Sequence, residues 1–130
     1  MKSDIGMRKT LDCTFDEALT KVPEALKTEG FGILTQIDLA GTLKEKIGVD
    51  FRRSRILGAC NPKLAHEALQ MDLGVGVIIP CNVALFETDD GKVEVIVVDP
   101  MQTPAASGGD ALRRFAGGVR EKLERVLRAL

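Results

Sequence analysis

Reactive side chains are few in this chain, and they come in a pattern. Cys60 and Asn61 stand before Pro62 in Gly58-Ala59-Cys60-Asn61-Pro62-Lys63-Leu64-Ala65-His66-Glu67-Ala68-Leu69, which also holds the single histidine. Cys81 and Asn82 follow Pro80 in Ile78-Ile79-Pro80-Cys81-Asn82-Val83-Ala84-Leu85-Phe86. Two thiols brought together offer redox chemistry or a soft-metal site. Two asparagines offer donors and acceptors to a small polar ligand. Asn61 before Pro62 also reads as a helix cap followed by a proline at the first helical position, where no N–H is lost. Cys60 then sits at a helix entrance, where the dipole would lower a thiol pKa, or serves as a small buried apolar residue. Pro80 interrupts an apolar run, as proline does at an edge or bulge, and backbone groups near Cys81 and Asn82 are then left for other partners.

Other chemistries find less support. His66 lies about 140° around its helix from the mean apolar direction, so it faces solvent or a partner. No C-x-x-C occurs, Cys60 and His66 are too loosely spaced for a finger, and no metal ligand set is assigned. No Ser-His-Asp arrangement is suggested. Gly74-Val75-Gly76 lacks the third glycine of a dinucleotide loop. Asp99 before Pro100 reads either as a turn former or as a catalytic carboxylate, the turn being favoured. Whether the protein is an enzyme stays open, and no cofactor or catalytic residue is assigned.

The elements that position these residues follow from periodicity. Residues 5–13 alternate as a strand whose apolar side, Met7, Leu11 and Cys13, is spoiled by Lys9. Thr14 and Glu17 fit a capping box, and Phe15 to Leu26 follow at helical spacing, with Pro23 expected to kink or split the helix. Gly30 suits its C-terminal cap, with Phe31 as the apolar contact. Strands are expected at 32–38, 51–59, 76–88 and 92–98, the last two joined by Asp89-Asp90-Gly91. Helices are expected at 40–47, with Leu43 and Ile47 inward, at 62–72 and at 110–129. The last carries one apolar stripe that includes Leu112, Phe115, Ala116, Val119, Leu123 and Val126. Glu121/Arg125 and Glu124/Arg128 fall as i,i+4 pairs on it, and Gly117-Gly118 suggests close approach to the sheet or a second chain. The order β-α-β-α-β-α-β-β-α predicts an α+β fold with a mainly antiparallel sheet and helices on one face.

The 130 residues suggest one domain, 1–130, able to bury a core without staples. With no Trp or Tyr and five Phe, that core is aliphatic. The net charge of -1 and the lack of an aromatic stacking platform argue against a nucleic-acid partner. Arg113, Arg114, Arg120, Lys122, Arg125 and Arg128 read as a solvated helix face rather than a phosphate surface. The N-terminus has no apolar leader and no run approaches a membrane span, so a cytoplasmic protein with three free thiols is expected.

Gly30 to Asp38, Leu43-Lys44-Glu45-Lys46, Ile56-Leu57-Gly58-Ala59-Cys60-Asn61-Pro62, Pro80-Cys81-Asn82 and Asp99-Pro100 together resemble the domain-of-unknown-function 302 family, from about residue 7 to 128. The resemblance implies a compact domain similar to the TATA-binding-protein-like fold class and a homodimer, with no established activity. A shared fold does not import DNA binding. The family's characteristic positions fall on Asp38, Lys46, Cys60, Asn61, Pro62, Pro80, Cys81, Asn82 and Asp99. Motifs and resemblance together suggest a binding or accessory protein with a small-molecule ligand. The candidate polar site comprises Cys60, Asn61, Cys81 and Asn82, with Asp38 or Lys46. The alternative is a thiol redox or soft-metal protein using Cys60 and Cys81.

Overall fold

Alternation at the start of the chain sets one edge of the sheet, and the structure, a computed structural model describing residues 4–130, follows that pattern. Met7, Lys9 and Leu11 of β1 (Met7–Leu11) lie opposite Val97, Val95 and Val93. Lys9 stands among apolar residues because its ammonium has partners. Nζ donates to the carbonyl of Leu127 at 3.0 Å and to that of Leu130. Leu127 lies in the last turn of the final helix and Leu130 just beyond it, where a cation is favoured.

Thr14 caps α1 (Phe15–Thr28) through a full capping box. Its Oγ1 accepts from the Glu17 N–H at 3.1 Å, and Glu17 Oε1 accepts from the Thr14 N–H at 3.0 Å. The break expected at Pro23 does not divide this helix. Val22, Ala25 and Leu26 are buried around the proline and anchor the turn that it leaves one hydrogen bond short. The helix ends in a Schellman turn. Gly30, at φ 86, lets its own N–H reach the Lys27 carbonyl and that of Phe31 reach Leu26, both at 3.0 Å.

β2 (Gly32–Asp38), β3 (Ser54–Cys60), β4 (Cys81–Glu87) and β5 (Val93–Val97) complete a five-stranded antiparallel sheet in the order β1-β5-β4-β3-β2. Leu57, Val83 and Val97 share one register row, Leu85 and Val95 another, and all are buried. α1 and α4 (Asp110–Arg128) cover this face. Phe15, Val22 and Leu26 from α1 meet Val119, Leu123 and Val126 from α4 in the main core. Leu26, Leu57, Leu85 and Leu123 are each buried almost completely, a contribution of about 1.5–3 kcal/mol apiece. The α+β class, the antiparallel sheet and the helical layer therefore match expectation. On the opposite face the register aligns Ile37, Ile56, Ala84 and Ile96 across four strands, with Ile37 exposed and the other three half-buried.

Several details differ from expectation. α2 (Leu39–Ile47) buries no side chain, and Ile47 is 67% exposed, because this helix lies at the β2 edge without a layer above it. β3 starts only at Ser54. Arg53 instead pairs with Asp16 at 2.6 Å and lies over the Phe15 ring, and Arg52 pairs with Asp89 at 3.1 Å. The run expected as a strand from 76 contains part of a 3-10 helix, Leu73–Ile78, and β4 begins after Pro80, which has no N–H for the ladder. Arg125 reaches Glu29 at 2.9 Å rather than Glu121, tying α4 to the end of α1, whereas Arg128 does approach Glu124, at 3.9 Å. A Cβ at Gly117 or Gly118 would meet nothing within 4 Å, so neither glycine serves close approach to the sheet.

Candidate ligand site

Asn61 sits where β3 passes into α3 (Pro62–Met71), and both ends of its amide are used there. Its Oδ1 accepts from the Leu64 N–H at 3.3 Å as the helix cap, and Pro62 occupies the first helical position. Its Nδ2 donates to the Glu29 carbonyl at 3.3 Å. One side chain thus starts α3 and fastens it to the end of α1. A Cβ at Gly30 would lie 2.7 Å from that Nδ2, so glycine serves both the positive φ and the contact.

Cys60 and Cys81 both line one cavity, although strand register does not pair them directly. Ala59 is the Cα partner of Cys81, and Cys60 is the next residue along β3. Cys81 shares the helix-covered face with Val83. Both cysteines are free. Burial pushes the Cys81 thiol from 9.0 up to about 11, and the neighbouring Cys60 adds to the rise. Burial also raises Cys60.

Above the thiols lies an apolar cavity of about 80 Å³. Ala59, Cys60 and Cys81 form its floor, Leu64, Ala65 and Ala68 of α3 one wall, and Leu112, Phe115 and Ala116 of α4 another. Its origin is visible in the packing. A second, smaller core contains Ala68, Val75, Ala105, Leu112 and Ala116, three of them alanines. Side chains this short leave volume that larger residues would fill.

Part of the wall comes from a segment outside the expected helices and strands. After β5 the chain forms two 3-10 turns, Pro100–Gln102 and Pro104–Ser107, which bring Pro100, Thr103 and Ala105 to the cavity. The signal was present: Asp99-Pro100 and Thr103-Pro104 repeat the capping residue and proline of Asn61-Pro62. Asp99 Oδ1 accepts from the Met101 N–H at 2.9 Å and Oδ2 lies 3.2 Å from Arg120 Nε, a turn former with an ion pair.

The remaining candidates lie elsewhere. Asn82, one residue beyond Cys81, faces the other side of the sheet and is exposed. Asp38 caps α2 by accepting from the Gly41 N–H at 2.9 Å, and Lys46 is exposed on that helix. Neither lines the cavity. His66 is exposed as well, with its Nε2 3.5 Å from Gln70. Among the described residues, no three His, Cys, Asp or Glu side chains converge as a metal site, and no helix is long and apolar enough to cross a membrane. A second, polar depression along β1 includes Arg8 and Glu94, an ion pair at 2.9 Å, and Asp99 and Arg120, an ion pair at 3.2 Å.

A family model described as "Domain of unknown function DUF302" matches residues 7–130. No curated protein matches the chain. Among solved structures, the chain is similar to the crystal structure of an uncharacterized conserved protein DUF302 from Bacillus stearothermophilus. The two are 27% identical, with a TM-score of 0.89 over 98% of each chain.

Proposed function

Starting from the fact that the chain belongs to the DUF302 family, we propose that it is a cytoplasmic, homodimeric accessory protein that binds a small ligand beside Cys60, Asn61 and Cys81. The observation that carries this reading is the cavity itself. Both Cys-Asn motifs contribute to one preformed concave site, the usual setting of a ligand pocket. The proposed site is narrower than the motifs, because Asn82, Asp38 and Lys46 do not line it. Self-association is supported by the Ile37, Ile56, Ala84 and Ile96 row. Apolar residues on an uncovered sheet face commonly mark an interface.

Native mass spectrometry of gently purified protein tests the ligand. A bound mass lost on unfolding is expected, or a compound that raises the melting temperature of the wild type but not of Ala68→Leu. The absence of both overturns the reading. A second reading, a thiol redox or soft-metal pair, is favoured by the adjacency of Cys60 and Cys81. The raised thiol pKa weighs against it, since the protonated form is a poor nucleophile and a poor ligand.

A further inference from the structure

The side-chain oxygen and nitrogen atoms of the cavity already have partners within the chain, which leaves only the weakly polar Cys60 and Cys81 thiols. Asn61 is engaged by the Leu64 N–H and the Glu29 carbonyl. Thr103 Oγ1 donates to the Pro100 carbonyl at 2.6 Å and accepts from the Ala105 N–H at 3.3 Å. The N-terminus of α3 offers little to an anion, because Asn61 takes the Leu64 N–H and Pro62 has none. No charged side chain lines the space. A phosphate, sugar or carboxylate entering it would give up its water for nothing in return.

Volume narrows the choice further. At about 80 Å³, the cavity is roughly half the ~150 Å³ at which an engineered apolar cavity stays dry and admits benzene. By that proportion it holds about three or four carbons. We propose that the cavity takes the end of a short unbranched aliphatic chain, with any polar head left outside. This rests on the small-ligand reading above and specifies its chemistry. Ala65, Ala68 and Ala116 leave the space open, since each of these three side chains ends at its Cβ.

The test uses full-length protein with alanine methyl groups labelled for NMR. Probes are 1-propanol to 1-hexanol, benzene, glycerol, glucose and inorganic phosphate. The alcohols are expected to shift the methyl signals of Ala65, Ala68 and Ala116. Affinity should rise by about fourfold per methylene until the cavity is full, and benzene should bind more weakly than the alcohols. Ala68→Leu and the milder Ala116→Val should each abolish or blunt these shifts while keeping a folded spectrum. If glycerol, glucose or phosphate shifts the same signals and the alcohols do not, the aliphatic assignment is overturned and the small-ligand reading stands. Equal or tighter binding of benzene, or alcohol binding unchanged in both variants, also overturns it. If no probe moves any of these signals, both proposals fail.

Discussion

Cys81 separates a buried structural thiol from a reactive one, and the difference is measurable. Its thiol is pushed up to about 11 from 9.0, so near pH 8 the folded protein carries about a hundredfold less thiolate at this position than the unfolded chain. Higher basicity makes each thiolate more nucleophilic, by about sixfold to tenfold at the usual Brønsted slope. The net expectation is alkylation slower by about tenfold, before restricted access slows it further. Iodoacetamide labelling of native and urea-unfolded protein, read cysteine by cysteine through peptide mass spectrometry from pH 7 to 11, measures it. Cys81 labelled as fast in the native as in the unfolded chain, or an inflection below pH 9, refutes the reasoning and favours the redox reading. The same shift has a stability consequence. The folded thiol keeps its proton to about pH 11 while the unfolded one loses it near 9.0, so stability is retained below pH 9 and falls as pH rises above it. The loss approaches about 2–3 kcal/mol once the folded thiol also ionises. Cys81→Ala should remove that alkaline slope in urea titrations.

Three further outcomes follow from the geometry. Asn61→Ala should cost about 1–3 kcal/mol in urea unfolding, by losing the cap and the tie to Glu29, and Asn61→Asp should recover the cap but not the tie. Gly30→Ala should destabilise by about 1–2 kcal/mol from the left-handed backbone alone, with the clash against Asn61 added; a loss no larger than that of an exposed Gly→Ala elsewhere contradicts the contact. If the protein pairs through the uncovered row as proposed, wild type should be dimeric by light scattering and Ile56→Lys, in the centre of that row, monomeric; a monomeric wild type contradicts the pairing.

The frame of the fold was legible because local signals agreed with one another. Thr14 with Glu17, Gly30 with Phe31 and Asn61 with Pro62 are caps whose geometry is set by neighbours in sequence, and each stands where its pattern indicated. Lys9 looked like a flaw in a strand until its partners came from Leu127 and Leu130, at the far end of the chain. Ile47 looked inward by helical spacing, but spacing cannot report whether a layer lies above the helix. The cavity shows the same limit of local signals. Cys60 and Cys81 carry motifs, whereas the alanines that line the cavity are ordinary residues in any helix. What they leave empty depends on how α3, α4 and the turns after Asp99 pack together.

The most direct test of that empty space is a crystal of the full-length protein under xenon pressure, since dry apolar cavities take up xenon. A xenon peak bounded by Cys81, Ala68 and Ala116 is the predicted result. A cavity filled by ordered waters bonded to Asn61 or Thr103, or closed by side chains from α4 with no xenon bound, contradicts the account.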